Sequence, residues 1–247
     1  MFFQADPGTS WAGSIAACME YPHNRLYTAD DLVRIITLLR DPVNGCPWDK
    51  VQTHTSIRMN FLEEAYEAVD ALDLDDPVLM CEELGDVLMQ VAFHTCMEQE
   101  TGRFTWEQVC DGVCQKLIER HPNIFGTQPG YDGINGWDAL KNKEKGRRTL
   151  ADDLESVPRA MPALMRAAKL QKRAARHGAA LQGADAAALA DAAENLQTAQ
   201  PASAQAEQAV GELLFAAANL ARQAGVDPEQ ALQKANEAFC TAAGPVA

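Results

Sequence analysis

Between Met59 and Gly102 the chain carries twelve acidic residues and neither lysine nor arginine. Glu64 and Glu67 are three residues apart, as are Glu83 and Asp86, and on a helix that spacing puts each pair on one face. A glutamate pair on an amphipathic helix is more often a solvated stripe than a site. The run from Leu84 to Met97 argues for more, because it is apolar nearly all round (Leu84, Val87, Leu88, Met89, Val91, Ala92, Phe93, Met97). A helix of that kind is normally buried, and Asp86 is its one formal charge. A buried carboxylate without a partner costs roughly several kcal/mol or takes up a proton. The neighbouring sequence supplies only more carboxylates, so a bound cation resolves the conflict most cheaply. All-oxygen ligands suit a hard ion, Mg²⁺ first and Mn²⁺ as its substitute. A di-iron bundle would place Glu-x-x-His on its helices, whereas His94 lies eight residues past Asp86. Four carboxylates exceed the charge of one divalent ion, which points to two ions or a metal-bound substrate. Such a cluster suits phosphoryl chemistry, in which metals neutralise phosphate oxygens and acidify an attacking water.

A phosphate substrate also needs cationic side chains, and these must come from outside the acidic stretch. Arg58 precedes it, Lys116 and Arg120 follow, and Lys141 and Lys145 stand further on. The last two, four residues apart, are equally readable as a solvated helix face. The chain contains neither GxxxxGK[ST] nor GxGxxG, so phosphate would be held by metal and side chains rather than by a glycine-rich loop.

The elements that must carry these residues are helices. Thr28 with Asp31 is a capping box for a helix that ends before Asp41-Pro42-Val43-Asn44-Gly45. A second helix is expected from about Thr53 to Leu72. Asp76-Pro77 is an N-cap followed by proline, and opens a third that Gly102 stops. Thr105 with Gln108 caps a fourth, ended by His121-Pro122. A loop from Asn123 to Gly136 and a short helix from Trp137 to Lys145 follow. The short connection around Asp73 to Pro77 folds the second and third helices back on each other, which can bring the two carboxylate pairs to one depth. Further helices are expected near 160–177, 185–199, 203–224 and 228–242, and no convincing alternating strand appears, so the class is all-α. Residues 179–210 hold 14 alanines in 32 positions and read as a loosely specified helical segment or linker. The chain also repeats itself. Glu83-Leu84-Gly85-Asp86-Val87-Leu88-Met89 aligns with Ala209-Val210-Gly211-Glu212-Leu213-Leu214-Phe215, as two copies of one helical unit would.

The 247 residues allow one large or two small domains. With 21 basic against 35 acidic residues the net charge is −14, which works against a nucleic-acid or anionic-membrane partner. No apolar run approaches membrane-span length, and residues 1–28 hold one arginine and no signal-peptide core, so a cytoplasmic protein is expected. Seven cysteines without a CxxC pair read as reduced thiols.

In order and spacing, five blocks resemble the MazG nucleoside triphosphate pyrophosphohydrolases. They are Cys46-Pro47-Trp48-Asp49-Lys50-Val51-Gln52-Thr53-His54, Glu63-Glu64-Ala65-Tyr66-Glu67, Glu82-Glu83-Leu84-Gly85-Asp86, Arg120-His121-Pro122-Asn123-Ile124-Phe125-Gly126, and Trp137 to Lys145. The family pattern is EExxE, a gap, then ExxD. The resemblance implies two MazG-like helical bundle domains, a homodimer, and Mg²⁺-dependent hydrolysis of nucleoside triphosphates to monophosphate and pyrophosphate. By position it implies Glu64, Glu67, Glu83 and Asp86 as metal ligands, with Glu63 behind them or orienting the water. It places Trp48 and Gln52 near the nucleotide, although Trp48 reads equally as a core anchor. Lys141 and Lys145 would approach the triphosphate. Residues 1–28 fall outside the pattern as an N-terminal extension, 29–150 form the expected catalytic domain, and 151–247 form a worn second copy.

In that copy Asn195, Thr198 and Ala209 stand where the first has Glu64, Glu67 and Glu83, and only Glu212 keeps a carboxylate. A structural or dimerising role is therefore expected of it. A competing class is a helical regulatory protein that binds nucleotide and metal without turnover, which the intact first motif disfavours.

Overall fold

A computed structural model describes residues 25–126, 146 and 149–244. Among them the chain is helical and has no strand. It divides into two compact units, Met1–Gln128 and Pro129–Ala247.

In the first unit α1 spans Ala29–Leu39, α2 His54–Leu74, α3 Pro77–Glu100, α4 Trp106–Arg120 and α5 Pro122–Phe125, with a 3₁₀ turn at Asp49–Val51. The helix starts are set locally. Thr28 with Asp31, and Thr105 with Gln108, form reciprocal capping boxes, and each satisfies two N–H groups that a helix start would otherwise leave bare. The Asp76 side chain accepts from the Val78 and Leu79 N–H groups, with Pro77 in the first turn. Asp75 ends α2 in the left-handed region, at φ 53°, so only two residues separate α2 from α3 and the helices pack along each other. Pro122 ends α4 as expected but also opens α5, one turn of helix where a loop was expected. Proline tolerates a first helical turn, where its missing N–H is no loss.

The core lies towards the C-terminal half of α3. Phe93, Cys96 and Met97 pack there with Ile36 of α1, Ile57 of α2 and Trp106 of α4. The N-terminal half differs from expectation, because Leu84 is 52% and Leu88 41% exposed and Asp86 is half-buried. Here α3 packs chiefly on α2, while α1 and α4 close over its other end, where residues 92, 93 and 95–98 are buried.

In the second unit α6 spans Leu150–Glu155, α7 Ala163–Arg176, α8 Ala186–Thr198, α9 Ala204–Gln223 and α10 Pro228–Ala243. The alanine-rich stretch is helical rather than a linker: Asp185 caps α8 and Ser203 caps α9. Ala192, Ala209 and Ala216 are buried, and side chains of that size let α8 and α9 approach closely. Larger groups fasten the rest. Asp153 of α6 is 1% exposed and pairs with Arg173 and Arg176 and with His177 just past α7. The Gln171 amide donates to the Phe215 carbonyl at 2.7 Å, and that of Asn219 to the Ala184 carbonyl at 2.6 Å.

Candidate metal centre

The α2–α3 pair presents the acidic pairs at one level. One carboxylate oxygen each from Glu64, Glu83 and Asp86 lies within 4.8 Å of the other two. Glu67, on the next turn of α2, is exposed and outside this trio, yet near enough that its charge acts on both Glu64 and Glu83. Glu63 is exposed and adds a weaker push on Glu64. Among the described residues no lysine or arginine pairs with the trio.

The electrostatic consequence is that the cluster resists its own ionisation. Partial burial, then the charges of Asp86 and Glu67, raises the Glu64 carboxyl above its usual 4.5, against a hydrogen bond from Gln90 that lowers it. Desolvation and the charges of Glu67 and Asp86 raise Glu83 likewise. A cation removes both penalties. Ligand oxygens around an octahedral Mg²⁺ stand about 2.9 Å apart when adjacent and about 4.1 Å when opposite, so small rotations of the three side chains would meet such a shell. The donor set, all carboxylate oxygen with no thiolate or imidazole, also suits a hard divalent ion. The residues present therefore fit the metal expected of them.

Gln90 completes the constellation. It stands one turn beyond Asp86 on α3, and its Nε2 donates to Glu64 Oε1 at 3.5 Å, while its own Oε1 is buried with no partner. Its one signal in the sequence is that of a lone amide in an apolar run.

The block before α2 is held by a residue the sequence did not single out. Arg40, buried at the end of α1, donates through Nη1 to the carbonyls of Asp49 (2.7 Å) and Gln52 (3.2 Å). It binds both carboxylate oxygens of Glu100 on α3, at 2.5 and 2.8 Å, and lies over the Phe93 ring. Trp48 and Gln52 are thereby moored to α3. Trp48 is about half exposed and meets Phe93 edge-on, with centroids 6.5 Å apart. Gln52 donates to the Trp48 carbonyl at 2.9 Å and accepts from the Ser56 hydroxyl at 2.7 Å.

The expected cationic residues are scattered. Arg58 is exposed on α2, Lys116 half-buried on α4, and Arg120 buried at the end of α4. Lys141 and Lys145, with the expected Trp137–Lys145 helix, lie outside the described residues. Below the cluster, His54 and His94 face each other through their Nδ1 atoms at 2.7 Å, and His54 Nε2 reaches Glu98 at 2.6 Å. Burial, then the nearby His54, lowers the His94 pKa.

The corresponding positions of the second unit form no such cluster. Glu212 is exposed and accepts from Gln208 at 2.8 Å. Ala209 is buried, and the Thr198 hydroxyl is turned back on the carbonyls of Glu194 and Asn195.

Comparison with known proteins shows what the chain is similar to. Residues 52–125, which hold the whole cluster, match the MazG nucleotide pyrophosphohydrolase domain. The chain is 41% identical over 219 residues to a nucleoside triphosphate pyrophosphohydrolase of Escherichia coli, covering 85% of this chain and 83% of that protein. It is 39% identical over 212 residues to the nucleoside triphosphate pyrophosphohydrolase/pyrophosphatase MazG of Thermotoga maritima, covering 85% and 82%. A nucleoside triphosphate pyrophosphohydrolase of Mycobacterium tuberculosis is 34% identical over 164 residues, with 62% and 50% covered.

Proposed function

Because the chain belongs to the MazG nucleotide pyrophosphohydrolase family, we propose that it hydrolyses nucleoside triphosphates to a nucleoside monophosphate and pyrophosphate at the α2–α3 cluster. The observation that carries this reading is the convergence of Glu64, Glu83 and Asp86. Glu64, Glu83 and Asp86, joined by Glu67, hold Mg²⁺, which Mn²⁺ can replace. An ion bound there would neutralise phosphate oxygens and make a nearby water more acidic. Glu63 stands beside the ligands and helps to orient that water. Trp48 and Gln52 border the nucleotide on the platform that Arg40 fixes. Arg58 and Arg120, with Lys141 and Lys145, supply positive charge to a leaving group that is otherwise repelled by this acidic chain.

The second copy, residues 151–247, is structural, since three of its four matching positions carry no carboxylate. The active form is a homodimer. Leu62, Tyr66 and Val69 line one face of α2 and are exposed together with Leu84 and Leu88 of α3, and apolar surface of this kind marks association.

The test is a panel of nucleoside triphosphates with Mg²⁺ in ¹⁸O-labelled water. Attack at the α phosphorus puts the label in the monophosphate and releases unlabelled pyrophosphate. Label in free orthophosphate, with a nucleoside diphosphate as co-product, would mean attack at the γ phosphorus and would overturn the reading.

A further inference from the structure

Gln90 is 7% exposed, and nothing about the packing of α3 calls for an amide there. Phe93, one turn further along the helix, is buried and apolar. Its Oε1 is a buried acceptor with no partner, a condition that destabilises a fold unless something else calls for the group. What the side chain does reach is Glu64, through Nε2 at 3.5 Å. The internal repeat supplies a comparison within the same chain. In the register that sets Gly85 on Gly211, Glu83 falls on Ala209 and Gln90 on Ala216, and both alanines are buried, at 2% and 0% exposure. The copy without the carboxylate at the first position is also without the amide at the second.

We infer that Gln90 is a positioning residue of the metal centre: its amide N–H holds one oxygen of Glu64 and so decides which oxygen is left to ligate. The inference rests on reading Glu64 as a metal ligand. Glutamate reaches its ligating pose through three rotatable bonds, and a donor that fixes one carboxylate oxygen removes much of that freedom before the ion arrives. Hydrogen bonds that orient metal ligands in this way are typically worth about 10–100-fold in metal affinity.

The experiment uses the full chain and metal ions alone. Binding of Mn²⁺ is followed by the electron paramagnetic resonance of the free ion and of Mg²⁺ by calorimetry, for wild type and Gln90→Met, with the metal-free melting temperature of each. The expected result is a Kd raised about 10–100-fold with a metal-free melting temperature that does not fall, because the unpartnered acceptor is gone. A folded Gln90→Met whose Kd is unchanged overturns the inference. Gln90→Leu repeats the test if the methionine variant does not fold, and failure of both to fold would show that the amide holds the helices rather than the ligand, which overturns it too. If the wild type itself binds neither ion, the proposed metal centre fails, and that outcome is distinct from a wild type and variant that bind alike.

Discussion

Asp86 illustrates how one side chain is governed by its surroundings. It is half-buried, unpaired by any basic group among the described residues, and its charge works against Glu64 and Glu83. Asp86→Asn should therefore abolish turnover, by about 100-fold or more as expected for a lost metal ligand, while the metal-free melting temperature holds or rises. Steady-state assays with thermal melts of the same preparation check this, and near-normal activity would remove Asp86 from the site. The pH dependence follows from the same repulsion. Glu64 and Glu83 titrate above 4.5 in the fold, so their contribution to stability is complete below 4.5 and is lost as pH rises through the raised values. Mg²⁺ should accordingly lift the melting temperature far more at about pH 7.5 than at about pH 4.5. His94 has the opposite sign. Its pKa is lowered from 6.5, so its contribution is complete above 6.5 and declines as pH falls below that. A second proton on His94 is disfavoured first by burial and then by the charge of the facing His54. In His94→Phe the loss of melting temperature just below pH 6.5 should shrink, and an unchanged acid limb would refute the assignment.

At the scale of elements, the turn after α1 and the α6–α7 junction show two ways of fixing a segment. The Asp41 carboxylate accepts from the N–H groups of Val43 (3.0 Å) and Asn44 (2.6 Å), and the chain comes back so closely that a Cβ on Gly45 would meet the Leu39 and Asp41 carbonyls. Gly45→Ala should cost about 1–3 kcal/mol by forcing backbone apart, read from denaturant unfolding, and should weaken nucleotide binding more than metal binding because Trp48 and Gln52 follow this turn. Asp153 is fixed by charge instead. Burial alone would raise its pKa, but hydrogen bonds and charge from Arg176, Arg173 and His177 outweigh this and lower it. Arg173 Nη1 stands 3.1 Å from Asp153 Oδ1 as an ion pair without hydrogen-bond alignment. Asp153→Ala leaves those cations facing an empty, buried position and should destabilise by about 3 kcal/mol, and a loss under about 1 kcal/mol in the same unfolding measurement would mean the pair is solvated.

For the whole molecule, the repeat makes a comparison that no single site can. Glu83 and Glu212 occupy the α3 and α9 acidic motifs, yet among the described residues only Glu83 has other carboxylates converging on it. Glu83→Gln should remove hydrolysis and Glu212→Gln should leave it nearly unchanged, and equal losses would show that the second copy takes part. Sedimentation of wild type against Tyr66→Asp tests the exposed α2 face, the expected outcome being a dimer that the charge disperses. Much of this organisation was already legible in the chain. Thr28 with Asp31, Asp76 with Pro77, and Thr105 with Gln108 announce their helices, because a cap is a contact over two or three residues and needs nothing distant. The spacing of Glu64 with Glu67 and of Glu83 with Asp86 put each pair on one face for the same reason. Tertiary structure alone decided that Glu64 joins Glu83 and Asp86 within 4.8 Å while Glu67 stays outside. It alone exposed Leu84 and Leu88 in a helix that reads as buried throughout, and brought Gln90 to Glu64 and Arg40 to Glu100. Those outcomes depend on the depth and rotation at which one helix lies against another, which are set by the summed packing of many side chains and are encoded in no short run of them.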